Sequence, residues 1–236
     1  MANRHLVIIP TYNEIETLET AISQLFKFNG NVDALIVDDN SPDGTGQLAD
    51  KLAVADNRIS VLHRTGKEGL GKAYLAGFEW GIERGYEFLI EMDADGSHRA
   101  EDLPKLIATD ADLVIGSRWV NGGRTENWPW SRQLISKTGN RYVRIMLGAK
   151  VHDATAGFRV YKTSLIQKID RSKIASHGYS FQVEMTYAAI QNRASIKEVP
   201  IVFIERINGV SKMTTAIVLE ALWLVTKLGI GRVLKF

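Results

Sequence analysis

Along the first half of the chain, short apolar runs alternate with longer stretches in which apolar residues recur every three or four positions. His5-Leu6-Val7-Ile8-Ile9, Ala34-Leu35-Ile36-Val37, Ile59-Ser60-Val61-Leu62, Phe88-Leu89-Ile90-Glu91-Met92 and Leu113-Val114-Ile115 read as strands, the first closed by Pro10. Residues 14–28, with Ile15, Leu18, Ile22, Leu25 and Phe26 near one face, and residues 70–83 read as helices. Runs without clean alternation fit strands covered on both faces. Strands separated by helices form βα units, so the pattern predicts an α/β fold with a mostly parallel central sheet flanked by helices. Such sheets bind ligands beyond the carboxyl ends of their strands. Pro10 to Glu14, Asp38 to Ser41 and Asp93 to Asp95 are therefore expected at one rim.

The second half has a different texture. A polar and aromatic loop from Arg118 to Ser131 carries Gly122-Gly123, Trp128 and Trp130, and a helix is expected over 131–147. Residues 157–161 read as an edge strand, 179–192 as a helix, and 196–205 as a strand whose internal Pro200 favours an edge or a bulge. No repeat or low-complexity linker divides the chain, which is expected to form a single domain over 1–236. Within it, 211–236 reads as an amphipathic tail. Leu222, Trp223, Val225, Leu228 and Ile230 with Lys227, Arg232 and Lys235 suit a membrane or a partner protein, or else a core or dimer helix. Glu220, Lys227, Arg232 and Lys235 interrupt the tail too often for an ordinary membrane span. The apolar run at the start is too short for a secretory signal, so a cytoplasmic location is expected.

Composition then narrows the chemistry. There is no cysteine, which excludes disulfides and thiolate metal sites. Lys plus Arg number 29 against 27 Asp plus Glu, a formal charge of +2 that permits an anionic partner without requiring one. No long basic stripe or reading motif points to nucleic acid. The histidines show no zinc spacing, and His98, His152 and His177 read as caps or pocket residues.

Asp93 and Asp95, one residue apart at a strand end, can both approach a divalent cation as the backbone turns. Hard Mg²⁺ or Mn²⁺ prefers such oxygen donors, and diphosphate oxygens can complete the shell. The alternative is solvated turn residues or helix caps. Asp38-Asp39 can accept hydrogen bonds from a base or ribose, or belong to a capped turn. Gly66-Lys67-Glu68-Gly69-Leu70-Gly71-Lys72-Ala73 nearly matches a phosphate loop, but Ala73 stands where a hydroxyl should meet Mg²⁺. That argues against ATP chemistry. It leaves either an anion cradle for a nucleotide sugar, helped by Lys67 or Lys72, or a tight strand-to-helix turn. Arg118, Arg132, Arg159, Arg206 and Lys212 are candidate phosphate cations.

Taken in order, Ile9-Pro10-Thr11-Tyr12-Asn13-Glu14, Val37-Asp38-Asp39-Asn40-Ser41-Pro42-Asp43-Gly44-Thr45, Gly69-Leu70-Gly71 and Met92-Asp93-Ala94-Asp95 resemble GT-A glycosyltransferases of family 2. Gly116-Ser117-Arg118, Asp153 to Arg159, Gly178 to Glu184 and Glu205-Arg206 with Gly209 to Lys212 narrow the resemblance to polyprenyl- and dolichyl-phosphate mannose synthases. The resemblance implies a GT-A fold with a small acceptor-side subregion. It implies inverting transfer of mannose from GDP-mannose to polyprenyl phosphate, with Mg²⁺ or Mn²⁺, giving polyprenyl β-mannosyl phosphate. Pro10, Tyr12, Glu14 and Asp39 would surround the nucleotide. Asp93 would stand near ribose, sugar or metal, and Asp95 would be the principal metal ligand. Arg118 would line the donor site, Arg132 and Ser136 would face the lipid phosphate, Arg206 and Lys212 would close over the phosphates, and Glu184 would support the catalytic rim. Relatives carry Gln, His or Asp two positions after the second Asp. Here Ser97 and then His98 stand there, which leaves a third metal ligand unassigned.

The isoprenoid would follow an apolar route along Trp128, Trp130, Ile135, Val143, Ile145, Met146 and Leu147, unless these form a loop and helix covering the sheet. A membrane surface and a membrane-protein partner are the implied associates, with the chain peripheral to the cytoplasmic face of a membrane. Two other readings stay open: another family 2 activity such as polyprenyl-phosphate glucosyl transfer, and a nonhydrolytic nucleotide-sugar binding module.

Overall fold

The computed structural model describes residues 4–174, 179–205 and 215–233. Arg206, Ser211, Lys212 and His177 lie outside the described residues. In chain order the elements are β1 (His5–Thr11), α1 (Leu18–Phe28), β2 (Val32–Asp38), α2 (Thr45–Ala55), β3 (Ile59–His63), α3 (Leu70–Glu83), β4 (Phe88–Glu91), α4 (Leu103–Ile107) and β5 (Leu113–Ser117). They continue with β6 (Arg124–Glu126), α5 (Trp130–Leu147), β7 (Arg159–Lys162), α6 (Thr163–Lys168), α7 (Tyr179–Gln191), β8 (Ile196–Pro200), β9 (Val202–Ile204) and α8 (Thr215–Val233).

A seven-stranded sheet has the order β3-β2-β1-β4-β7-β5-β8. Every neighbouring pair is parallel except the two that involve β7, which runs against β4 and β5. The mostly parallel expectation holds, but the 157–161 segment is no edge strand. Its strand, shifted to Arg159–Lys162, sits between two others, and Val160 and Tyr161 are buried. The expected strand over 196–205 is split: β8 ends at Pro200, which has no N–H to continue a ladder, and β9 pairs with β6 in a separate two-stranded sheet. β1 runs through Pro10 to Thr11 rather than stopping before it. Residues 14–17 form a turn, not the first turn of α1, and α2 was not expected.

Consecutive strand residues serve opposite faces. Leu6 and Ile8 pack with Tyr74, Phe78, Tyr161 and Phe181 on one side; Val7 and Ile9 pack with Leu18, Ile22, Leu25 and Leu103 on the other. This is why the β1 run lacks alternation: each apolar side chain fully buried contributes roughly 1.5–3 kcal/mol, and neither face is left wet. α3 lies close over the sheet through two glycines one turn apart. A Cβ on Gly77 would sit 2.5 Å from Ile8 Cγ2, and one on Gly81 2.5 Å from Leu89 Cδ2. α5 lies along α8, where Tyr142 and Thr226 hydroxyls bond at 2.7 Å and Gly229 admits Met146. No helix among the described residues is long and apolar enough to cross a membrane.

The tight α3 contact generates a test. Gly77→Ala should destabilise the protein by ~1–3 kcal/mol in urea unfolding, because overpacking against Ile8 outweighs the gain in helix propensity. A stabilised variant would show that α3 can lift from the sheet at no cost.

Candidate active site

With six strands pointing one way, their carboxyl ends and the amino end of β7 share one edge. At one end of it the loops after β1 and β2 interlock. The buried Asp38 carboxylate accepts hydrogen bonds from Thr11 Oγ1 (3.2 Å), Ser41 N (3.1 Å) and Ser41 Oγ (2.6 Å), and Ser41 Oγ in turn accepts Asn13 N at 3.1 Å. Asp43 receives Thr45 N and Oγ1 and the Ile15 amide, while Thr45 Oγ1 receives Glu14 N. Asn13 and Asn40 adopt φ of 59° and 58°, a left-handed conformation that asparagine tolerates. Asp39 accepts Arg64 Nη1 at 2.5 Å. Burial raises its carboxyl above the ordinary value, and the Arg64 charge offsets part of that rise. The Lys67 ammonium lies 4.0 Å from the Tyr12 ring centroid. Arg64 was not anticipated; its signal was its place directly after an apolar strand. The structure brings Pro10, Tyr12, Glu14 and Asp39 to this end of the rim.

The middle of the edge carries Asp93 and Asp95. Asp93 accepts the buried Tyr74 hydroxyl at 3.1 Å, and its backbone N–H donates to His98 Nδ1 at 3.0 Å. Asp95 turns back to accept Ser97 N at 3.0 Å, across a Gly96 with φ of 75°. Both carboxylates are partly exposed. His98 is buried, stacked on Phe158 with ring centroids 5.0 Å apart, so it serves as a pocket wall whose Nδ1 is already occupied. Ser97 Oγ is buried without a hydrogen-bond partner. No group of three or more His, Asp or Glu suited to a metal occurs among the described residues. Two partly exposed hard carboxylates suit an Mg²⁺ or Mn²⁺ that takes its remaining ligands from phosphate and water. Tyr74 was overlooked because its helical spacing reads as core.

Below this point lies a buried polar cluster. Arg159 donates to the carbonyls of Ala154, Ala156 and Gln182 and to Tyr161 Oη. Gln182 Nε2 donates to Glu91 at 2.8 Å. Burial pushes the Glu91 carboxyl up to about 8 despite the nearby Arg159 charge. Arg159 is fully buried, so it braces the rim from below and cannot reach a phosphate in solvent.

At the far end, Arg118 is buried against Asp153. Its Nε and Nη2 donate to the two carboxylate oxygens at 2.8 and 2.7 Å, its backbone N–H adds a third bond at 2.9 Å, and Nη2 also reaches Thr155 Oγ1. Burial alone would raise the Asp153 carboxyl, but the Arg118 charge and hydrogen bonds hold it below the ordinary value. Asn140 of α5 donates to Asp153, to Thr155 and to the Ser136 carbonyl, tying the helix to this corner. Arg132, one turn before Ser136, pairs with Glu205 and stacks 3.9 Å from the Trp128 ring, which also has the Arg118 guanidinium 5.3 Å from its centroid. Arg132 Nε and Trp128 Nε1 are buried donors without hydrogen-bond partners. Glu184 is buried on α7. Val143 and Leu147 belong to the core, whereas Trp130, Ile135 and Ile145 are exposed; the expected apolar route is thus divided between core and surface.

The family model for glycosyl transferase family 2 matches residues 6–170. The chain belongs to this family. It is 54% identical over 231 residues to polyprenol monophosphomannose synthase of Mycolicibacterium smegmatis, covering 96% of this chain and 87% of the relative. It is 53% identical over 230 residues to undecaprenyl-phosphate mannosyltransferase of Micrococcus luteus, covering 97% and 95%. Among solved structures, a Pyrobaculum calidifontis mannosyltransferase in complex with GDP-Man and Mn²⁺ aligns at TM-score 0.61 and 14% identity, covering 99% of this chain and 64% of that longer one. Glucosyl-3-phosphoglycerate synthase from Mycobacterium tuberculosis, with Mn²⁺, UDP-glucose and phosphoglyceric acid, aligns at 0.69 and 16%, covering 96% and 81%. These likenesses establish the GT-A fold.

Two tests address how the transferase holds its rim together. Asp153→Asn removes the carboxylate that accepts three Arg118 hydrogen bonds and carries its buried ion pair, and should cost ~3–5 kcal/mol in urea unfolding; a loss under ~1 kcal/mol would mean that the pair contributes little to the fold. Glu91 carries a pH dependence. Its folded-state value lies above the ordinary 4.5, so its contribution is fully present below that pH and is lost as pH rises through about 8. Wild-type stability should therefore fall across this window relative to Glu91→Gln. Parallel curves for the two proteins would contradict the buried, protonated state.

Proposed function

We propose that this chain transfers mannose from GDP-mannose to polyprenyl phosphate, forming polyprenyl mannosyl phosphate and GDP. The observation that carries this reading is identity above half, over nearly the whole chain, with two enzymes named for mannose and a polyprenol or undecaprenyl phosphate. The geometry supports it. Along one edge the fold sets a cradle at Tyr12, Asp39, Arg64 and Lys67, a carboxylate pair at Asp93 and Asp95, and guanidinium groups at Arg118 and Arg132.

The cradle end takes the nucleotide, with Pro10 and Glu14 shaping its wall. Asp95, with Asp93 beside it, holds Mg²⁺ or Mn²⁺, which when bound neutralises charge on the departing diphosphate. Arg132, its Nε unpartnered, and Ser136 receive the acceptor phosphate; Arg118 and Glu184 keep the surrounding walls in place. Arg206 and Lys212 are assigned to the diphosphate by resemblance.

A phosphate monoester has its second pKa near 6, so its oxygen is a ready nucleophile at neutral pH and needs no protein base. That oxygen attacks the anomeric carbon as the bond to the GDP oxygen breaks, inverting the sugar centre. What the protein supplies is position and positive charge for two anions brought together. We place the chain at the cytoplasmic face of a membrane, where such an acceptor presents its phosphate.

The test is a donor and acceptor panel with the purified full chain. GDP-mannose, a short-chain polyprenyl phosphate and Mn²⁺ should give a β-linked lipid phosphomannose, and chelation should abolish the reaction. Asp95→Asn should lower turnover at least ~100-fold with the fold intact. Preference for UDP-glucose would transfer the assignment to a glucosyltransferase; a retained α-configuration would exclude single displacement; tight donor binding without turnover would leave a binding module.

A further inference from the structure

α5 carries a second group of cations, on its exposed side. Lys137, Arg141 and Arg144 follow at helical spacing and, with His152, line a groove of about 620 Å³ walled by Trp119 and Ile145. Among the described residues, no carboxylate is part of its lining. Several other arginines are paired with carboxylates: Arg58 with Asp56, Arg64 with Asp39, Arg118 with Asp153, Arg132 with Glu205 and Arg171 with Glu79. Among the described residues, no such partner meets Lys137, Arg141 or Arg144, although all three are exposed. Like charges at i, i+4 and i, i+3 destabilise a helix, so this arrangement is a cost to the fold on its own. His152 is fixed at the groove by Glu198, which accepts both its Nδ1 and its backbone N–H.

The same face of α5 exposes large apolar side chains. Trp130 is 76% exposed, Leu134 55% and Ile145 68%. At 3.6 residues per turn, these three and the three cations fall within a sector of about 100°. Cations interleaved with leucine, isoleucine and tryptophan on one helix face match the boundary between lipid headgroups and acyl chains, where alkyl stems lie flat and charges reach phosphate. Single-stranded nucleic acid calls instead for stacked aromatic rings along a groove, which Leu134 and Ile145 do not offer. The placement also fits the acceptor, since Arg132 and Ser136 stand on this helix and an isoprenoid tail must remain in the bilayer while its phosphate is held.

We infer that the groove of Lys137, Arg141, Arg144 and His152 binds the headgroup phosphate of anionic phospholipids, while Trp130, Leu134 and Ile145 seat α5 on the leaflet. This deepens the proposed function and rests on it for the orientation of the acceptor, but its binding test is independent of turnover. The full chain is sedimented with vesicles of phosphatidylcholine alone and of phosphatidylcholine mixed with phosphatidylglycerol. Binding should be stronger to the mixed vesicles and weaken with salt. The triple substitution Lys137→Gln, Arg141→Gln, Arg144→Gln should reduce partition onto mixed vesicles at least ~10-fold, as expected for three basic residues near an anionic surface. It should leave mannosyl transfer to a short, water-soluble polyprenyl phosphate unchanged, which also confirms that the variant is folded. Leu134→Ser with Ile145→Ser should weaken binding to both compositions. Undiminished binding by the triple variant, or equal wild-type binding to both compositions, overturns the assignment. Wild-type binding to single-stranded RNA without vesicle partition would overturn it in favour of nucleic acid. Absent turnover with intact, charge-dependent vesicle binding would count against the mannosyltransferase reading and not against the groove.

Discussion

The edge where the strands end is organised by one constraint: a charge carried into the end of a sheet must be met there by a partner. Several carboxyl groups are buried at or just behind this edge, and four of them each draw at least one partner from another loop or element. Asp38 takes Thr11 and Ser41, Asp39 takes Arg64, Asp153 takes Arg118, and Glu91 takes Gln182. Because partners come from different elements, satisfying these groups, among them the Glu91 carboxyl that burial keeps protonated, also cross-links the loops. Hydrophobic packing of the sheet faces fixes where the strands lie. The buried polar pairs fix how their ends meet.

That division has a functional consequence. Asp93 and Asp95 differ from these buried carboxyl groups in being partly exposed. Asp93 is steadied by the Tyr74 hydroxyl, which orients the carboxylate without cancelling its charge. Asp95 accepts a backbone N–H from Ser97 in the same turn, a bond that shapes the loop. Two partly exposed carboxylates thus stand at the centre of an edge whose flanks carry arginine. On the proposed reading a divalent cation would be held at this centre, with the flanking cations favouring its anionic substrates. The antiparallel β7 matters here because its amino end, not its carboxyl end, delivers Asp153 and Thr155 to the same edge, giving Arg118 a fixed seat.

Much of this was legible in the chain. The first five strands were readable because both faces are covered, so their apolar runs are continuous, and their order in a parallel sheet implied that Thr11, Asp38 and Asp93 would converge. The acidic pair at the end of β4 was visible as a motif. Less legible were features that depend on tertiary neighbours. β7 is short and polar at its start, and nothing in its own residues shows that it will be inserted between β4 and β5. Pro200 gave a hint of discontinuity, yet the change of sheet after it depends on β6, a three-residue strand with no apolar pattern. Tyr74 and Arg64 were hidden for opposite reasons: one has the spacing of a core aromatic, the other the look of a surface arginine. Arg159, singled out as a phosphate cation, is instead an internal brace, a distinction that only burial can draw.

α5 shows how one helix can answer three demands through its periodicity. Asn140, Val143 and Leu147 face inward, where Asn140 holds Asp153 and Thr155 and the two apolar residues join the core. Arg132 and Ser136, one turn apart, lie on the same inward side nearer the amino end of the helix, where Arg132 meets Glu205 and Trp128. Lys137, Arg141 and Arg144 face outward with Trp130, Leu134 and Ile145. A helix anchored by a buried hydrogen-bond network cannot rotate to exchange these faces, so whatever docks on the outer one is held at a fixed angle to Arg132. On the proposed function, in which the acceptor's reactive phosphate and insoluble tail belong to different phases, that fixed angle would set how far from the membrane plane the phosphate must rise to meet the sugar. On that reading the network around Asp153 would link the stability of the fold to the geometry of the acceptor, although none of its carboxylate oxygens need touch a substrate.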